Sequence, residues 1–253
     1  MDKDKDYTVI LPTLDESGHI KNLILEITEI FKLNKINYTI LVVDDCSNDG
    51  TIDIVQELKK KNSNISIIIR NNKKKSLVDS LNDGIKNSNS EFVIWLDADY
   101  SHPPKYIAEF INYNIKYNYD LIVFSRFLKK SVRYFDGSSL KSKSIEKMSN
   151  FLNKVCQLLL FKDLTDYTSG YICIKKSFFQ DKYLNGYYGD YFIELLNRAK
   201  LRNASIKELP YTERDRETGY SKTTSNKLSL VVKCYFYAFR ILICFLKKIF
   251  KIK

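Results

Sequence analysis

The sequence is poor in the residues that punctuate a chain into separate units. It holds eight glycines and four prolines among 253 residues, and no stretch rich in Gly, Pro or Ser reads as a linker. One large unit followed by a C-terminal helix is therefore expected, and the length suffices to bury a full core. Cysteine is scarce and unordered: Cys46, Cys156, Cys173, Cys234 and Cys244 are odd in number and contain no Cys-x-x-Cys spacing. That argues against a disulfide framework or a zinc site and for reduced thiols in a cytoplasm. The N-terminus, MDKDKDYTVILP, is too charged, and its apolar run too short, for a secretory signal. No internal repeat is visible. With 44% hydrophobic and 28% charged residues, the chain is neither disordered nor a polytopic membrane protein.

Positive charge is what the chain has in excess. The formal net charge is +11, which calls for anionic partners: nucleic acid, phosphate-bearing substrates or a membrane surface. Location narrows the choice. Residues 226–253 carry seven Lys or Arg and no acid, so the remainder is nearly balanced, and it contains no nucleic-acid-binding motif.

Along the first half, apolar β-rich runs at 7–11, 38–43, 65–70, 92–96 and 121–125 alternate with helical patterns at 17–33, 51–61, 75–87 and 105–117. Ser17 is the expected N-cap of the first helix. This alternation predicts a mostly parallel, open α/β sheet, in which ligands bind at the carboxyl ends of the strands. The second half is less regular. A polar, basic loop is expected at 127–141, helices at 143–160 and 190–201, strands at 171–174 and 204–209, and a long helix from about residue 226.

Two acidic pairs fall at predicted strand ends. Asp97 and Asp99 are separated only by Ala98, so in an extended segment both carboxylates point to one side. Such a pair suits a hard divalent cation such as Mg²⁺ or Mn²⁺ shared with phosphate oxygens; the same residues would serve equally as turn caps before Pro103-Pro104. Asp44-Asp45 precedes the turn 47–50 and either meets a base or ribose or is a solvated turn. His102 reads as structural.

In combination these segments become specific. VILPTLDE (9–16), VVDDCSNDGT (42–51), WLDADYSHPP (95–104), SRF (125–127), DYTSGY (166–171) and RETGYSK (216–222) occur in the order and spacing of the large inverting GT-A glycosyltransferase family, family two. Together they resemble its dolichyl-phosphate mannosyltransferase branch over nearly all of residues 7–224. The resemblance implies a GT-A catalytic domain over 1–225 and a nucleoside-diphosphate-sugar site. Pro12, Leu14 and Glu16 would line the nucleotide pocket, with Val43 and Asp45 at the base. Asp97 and Ala98 would lie near ribose and diphosphate. Asp99 would be the main ligand of Mg²⁺ or Mn²⁺, with Asp97 and Ser101 beside it. Arg126, Arg216 and Lys222 would hold diphosphate or acceptor phosphate. Cys46 for a usual Gly, Asp15 for Asn, Ile172 for Arg, and Ser76 and Val78 for glycines depart from the pattern and leave the sugar open.

The implied activity is sugar transfer, with GDP-mannose as the first donor to test, onto a polyprenyl (dolichyl) phosphate. The alternatives are the same donor chemistry onto a protein or glycan hydroxyl, with Asp166 as the base, or a silent scaffold subunit. Arg133, Lys141 and Lys143 add cations on or beside the 127–141 loop.

The C-terminal helix completes the expectation. Lys233, Arg240 and Lys247 recur every seven residues, with Lys251 four further on, while Leu230, Phe236, Phe239, Ile243 and Phe250 cover much of the rest. A basic stripe on an apolar body suits the plane of an anionic membrane. Residues 226–253 are thus expected to be a membrane-associating helix at the cytoplasmic face, with spanning, alone or through a small membrane-embedded partner subunit, or a packed core helix as the alternatives.

Overall fold

The computed structural model describes residues 6–71, 73–134, 140–214 and 227–252. Nine strands and seven α-helices lie among them. β1 (Tyr7–Thr13), α1 (Ile20–Asn34), β2 (Tyr38–Asp44), α2 (Thr51–Lys61), β3 (Ile65–Ile69), α3 (Leu77–Asn87), β4 (Phe92–Trp95), α4 (Ile107–Tyr117) and β5 (Leu121–Ser125) alternate. They are followed by β6 (Val132–Tyr134), α5 (Leu140–Leu159), β7 (Ile172–Lys175), α6 (Asp190–Leu201), β8 (Ile206–Pro210), β9 (Thr212–Arg214) and α7 (Lys227–Ile249).

The main sheet has seven strands in the order β3-β2-β1-β4-β7-β5-β8. All pairings are parallel except those of β7, which runs antiparallel to β4 and β5. The expected mostly parallel α/β sheet of the GT-A type is present. Its strands are near-continuous apolar runs because helices cover both faces. Alternate residues divide between two cores: Val9, Val42, Ile94 and Phe124 pack with α1, α2 and α4, while Ile10, Val43, Val93 and Val123 pack with α3, α5, α6 and α7.

Local chemistry explains where elements begin. α1 starts at Ile20, not at residue 17, and Ser17 is not its cap. The turn before it is instead sewn to the turn after β2: Asp15 N donates to Ser47 Oγ, Glu16 N to Thr51 Oγ1 and Ser17 N to Asp49 Oδ2, each at 2.8 Å. These backbone donors of the turn before the helix are met from a neighbouring loop. Burial pushes the Asp49 carboxyl up, but hydrogen bonds from Thr51 and Ser17 outweigh it and hold the group down at about 2. α3 starts at Leu77 with Ser76 as N-cap, its hydroxyl accepting from Asp79 N. Ser76 has φ −160°, an extended conformation open to any residue, so the glycine it replaces is dispensable. Cys46 has φ +58°, the left-handed region that favours the glycine usual at that position.

The expected loop at 127–141 contains β6, which pairs in parallel with β9 to form a second sheet of two strands. Three-residue strands leave little periodicity for a sequence to display.

Lys233, Arg240 and Lys247 of the expected basic stripe turn inward, and only Lys251, just past the end of the C-terminal helix, is exposed. α7 packs along α6, and Arg240 Nε donates to Asp190 Oδ2 at 3.0 Å. Lys247 Nζ lies 3.8 Å from Glu194 Oε1, and Lys248 Nζ donates to the carbonyls of Leu159 and Leu160. α6 is buried from Asp190 through Ala199, so its acids meet the cations of α7 as partners. The outward face of α7 is apolar instead, exposing Val232, Tyr235, Phe239, Leu242, Leu246 and Ile249. No described helix is long and apolar enough to cross a membrane.

Candidate active site

β1 and β4 are neighbours at the point where the strand order reverses, and a crevice opens beyond their carboxyl ends. A cleft of about 350 Å³ occupies it. Its walls are Pro12, Thr13, Leu14 and Glu16 after β1, Asp45 after β2, and Lys75, Ser76, Leu77 and Ser80 at the start of α3. Asp97, Ala98 and Asp99 follow β4; Tyr187, Tyr188 and Gly189 precede α6; Lys233 comes from α7.

The turn carrying the acidic pair is held by its own neighbours. Asp97 N donates to His102 Nδ1 at 3.0 Å, so that nitrogen is the acceptor and the ring proton sits on Nε2. The His102 ring stacks on Tyr171 at 5.0 Å, the structural role expected for it. Asp99 is 3% exposed, and its Oδ1 accepts from both Ser101 N at 3.0 Å and Ser101 Oγ at 2.6 Å. Ser101 thus orients Asp99. The residues fit a divalent cation held jointly with a ligand: two carboxylates border the cleft, and no group of three or more His, Cys, Asp or Glu converges among the described residues. The remaining oxygens would come from a diphosphate.

The second acidic pair divides its duties. Asp44 is fully buried and accepts from Thr13 Oγ1, Ser47 N and Ser47 Oγ, each at 2.7 Å. It is a clasp between two turns. Asp45 reaches the cleft and is gripped by the Arg70 guanidinium and by Ser76 N at 2.9 Å. Arg70 is buried and also pairs with Asp83 at 3.0 Å. Val43, expected at the base, instead sends its side chain into the core beneath α3.

Arg126 was expected to clamp a phosphate, and the structure gives its fork to the protein. Nε and Nη2 each donate to Asp166 at 2.8 Å, Nη2 also to Thr168 Oγ1 at 2.6 Å, and Nη1 lies 3.4 Å from Glu213 Oε1. Asp166 is wholly buried. Burial alone would raise its carboxyl, but the guanidinium and the N–H groups of Arg126 and Thr168 hold it below the usual carboxylate range. The pair is a brace between the end of β5 and the 163–170 loop, and Asp166 is not poised as a base. Ile172, where the branch usually has Arg, is buried between β4 and β5. Arg216 and Lys222 lie outside the described residues.

Pro12, Leu14, Glu16, Asp45, Asp97, Ala98 and Asp99 all line this one cleft. Sequence reasoning missed Arg70, the α3 start and above all Tyr187, Tyr188 and Lys233. An arginine closing β3 beside an acid closing β2 was a usable signal for the first. The others carry none, because nothing local ties residue 233 to residue 99.

A seven-stranded sheet with β7 reversed, and a carboxylate pair at its switch point, define a GT-A nucleotide-sugar transferase fold. Glycosyl transferase family 2 matches residues 8–181, and the chain belongs to that family. A dolichol-phosphate mannosyltransferase of Pyrococcus furiosus is 30% identical over 215 residues, covering 85% of this chain and 58% of that protein. A dolichyl N-acetyl-alpha-D-glucosaminyl phosphate 3-beta-D-2,3-diacetamido-2,3-dideoxy-beta-D-glucuronosyltransferase of Methanococcus voltae is 29% identical over 181 residues, covering 72% of this chain and 52% of that protein. The chain therefore spans little more than half the length of these two relatives. Among solved structures, glucosyl-3-phosphoglycerate synthase of Mycobacterium tuberculosis with UDP superimposes with a TM-score of 0.70 at 14% identity, over 95% of this chain and 80% of that one. The same enzyme, also solved with Mn²⁺, UDP-glucose and phosphoglyceric acid, gives 0.67 at 16% identity over 94% and 80%. At these identities the likeness is one of fold.

Proposed function

We propose that this chain transfers a sugar from a nucleoside-diphosphate sugar to a polyprenyl phosphate, assisted by a divalent cation. The observation that carries the donor half is the carboxylate pair Asp97 and Asp99 lining the switch-point cleft together with Asp45. A cation bound there, Mn²⁺ or Mg²⁺, would neutralise charge gathering on the departing diphosphate. Asp99 would hold it, steadied by Ser101, with Asp97 alongside. Pro12, Leu14 and Glu16 would enclose the nucleotide, and Asp45, fixed by Arg70, would receive the N–H groups of the base. GDP-mannose is the first donor to test, since guanine offers two adjacent donors to one carboxylate.

The acceptor half rests on the state of Asp166. A hydroxyl acceptor needs a general base, and the carboxylate suited to that task is consumed by Arg126. A phosphate monoester carries roughly −1.5 to −2 charge at neutral pH and is already a nucleophile. The enzyme would then only align it for in-line displacement. The names borne by the relatives from Pyrococcus furiosus and Methanococcus voltae favour the same acceptor class.

A lipid acceptor also requires a bilayer, and the exposed apolar face of α7 would lie on it. That face rests on the interface, with the catalytic unit above and the cations of α7 turned inward. The cytoplasmic face is the side this reading assigns, because the scattered thiols suit a reducing compartment. A small membrane-embedded partner subunit is the competing occupant of the same surface.

The test is a panel of nucleoside-diphosphate sugars with Mn²⁺ and a short-chain polyprenyl phosphate in vesicles. One donor is expected to be consumed and a lipid-linked sugar to appear, with Asp99→Ala at least ~10²-fold slower. Transfer only to soluble hydroxyl acceptors would reject the lipid acceptor. No turnover from folded protein with any donor would reject the enzyme.

A further inference from the structure

Four cations of α7 are directed at the catalytic unit, and three of them find partners there. Arg240 has Asp190, Lys247 has Glu194, and Lys248 has two backbone carbonyls. Lys233 has none of these. It is 7% exposed, it lines the cleft, and its ammonium lies over the Tyr188 ring at 5.1 Å. Among the described residues no carboxylate comes within ion-pair distance of it. Burial pushes its amine below the ordinary lysine range, with no acid pulling it back.

An ammonium withdrawn from water without a counter-charge is unfavourable, and a cation–π contact offsets only part of that. Such a group is retained where a ligand completes it. The other charged groups on the cleft wall are Glu16, Asp45, Asp97, Asp99 and Lys75. Asp45 is already neutralised by Arg70. Asp97 and Asp99 are on the side assigned to the metal, so a phosphoryl group between them and α7 would have cationic charge on two sides.

We infer that Lys233 binds a phosphate oxygen of the reacting groups, making the C-terminal helix a working wall of the active site. The inference rests on the transferase reading above and assigns a residue to it. The local architecture keeps the lysine in place. Asp190 Oδ1 accepts from Tyr187 N at 2.9 Å and Tyr188 N at 2.8 Å, and its other oxygen holds Arg240. One carboxylate therefore fixes both the cleft loop and the helix that delivers Lys233. Phosphate could come from the donor diphosphate or from the lipid acceptor, and the two sources are separable.

Full-length wild type, Lys233→Met and Lys233→Arg are titrated calorimetrically, first with UDP and GDP in Mn²⁺, then with a short-chain polyprenyl phosphate in vesicles. Lys233→Met is expected to weaken binding by roughly 10- to 100-fold in at least one arm, with Lys233→Arg restoring most of it. Loss in the nucleotide arm assigns the diphosphate; loss in the lipid arm assigns the acceptor. A folded Lys233→Met that binds both ligands like wild type overturns the inference and leaves the transferase reading standing. A wild type that binds neither overturns both. Should Lys233→Met not fold, ¹³C-dimethyl-lysine NMR of the wild type decides, the Lys233 signal being the one missing in Lys233→Arg. Displacement of that signal by Mg²⁺ with GDP, or by the lipid phosphate, supports the inference, and a signal unmoved by either overturns it.

Discussion

Arg126 and Lys233 are both cations largely withdrawn from water at the catalytic end of the sheet, and they are provided for in opposite ways. Arg126 is matched donor by donor: Asp166, Thr168 and Glu213 take its fork. Lys233 meets an aromatic ring and the cleft. The difference teaches how to separate a strut from a binding group in a site without its ligand. A charge whose partners are complete is spent on architecture, whereas a charge withdrawn from water with its partner missing is held for something that arrives. Arginine and lysine chemistry agree with the division, since the planar fork suits a fixed carboxylate and the single ammonium suits a mobile phosphate.

Substitution should expose that contrast in stability. Arg126→Met strands the buried Asp166 carboxylate and is expected to cost about 3–5 kcal/mol, measured as a lower midpoint in urea at unchanged slope. Arg240→Met leaves Asp190 with only its two backbone donors and should cost ~2–3 kcal/mol by the same measurement. Lys233→Met removes a charge that no carboxylate among the described residues compensates, so its stability should stay within about 1 kcal/mol of wild type or rise. A Lys233→Met loss as large as that of Arg126→Met would erase the distinction.

The pH dependence sharpens it further. In the wild type Asp166 has a folded pKa below its unfolded value near ~3.9, so its contribution is present above that pH and is lost on further acidification. In Arg126→Met the guanidinium is gone and only the backbone N–H groups of residues 126 and 168 still oppose burial, so the folded pKa of Asp166 is expected to rise above the unfolded one. Its contribution is then greatest below the unfolded pKa and is lost as pH rises. The stability deficit of Arg126→Met should therefore shrink between pH 7 and pH 5, as followed by thermal unfolding at each pH. An equal deficit at both would mean that Asp166 does not retain a proton in the variant.

The outer face of α7 supplies the smallest effect on the fold. Phe239→Glu with Leu242→Glu should leave the unfolding midpoint nearly unchanged while reducing flotation with anionic vesicles several-fold. Retained flotation would reject this face as the membrane contact.

Much of this was legible in the sequence, for identifiable reasons. Apolar runs that feed strands covered on both faces gave the sheet, and acids at strand ends gave the position of the cleft. Two kinds of fact were not legible. Loop-to-loop hydrogen bonding displaced the start of α1, because Ser17 is served by Asp49, 32 residues away. More tellingly, periodicity put Lys233, Arg240 and Lys247 on one face of α7 but could not say what would claim that face. A basic stripe is the same pattern whether it meets lipid phosphates or Asp190 and Glu194. Only packing decides, and it turned the stripe inward and the aromatic side out.

Gly189 has a final bearing on the C-terminal helix. A Cβ there would collide with the Tyr237 hydroxyl, so α7 lies against the mouth of the cleft with no spare room. Lys233 and Arg240 stand two turns apart, about 10.5 Å along the axis, one at the cleft and one at the bolt. On the proposed reading, grafting an unrelated lipid anchor in place of this helix would restore a hold on the bilayer yet take down one side of the reaction chamber. Tethering and chemistry would then share one helix, and neither could be exchanged alone.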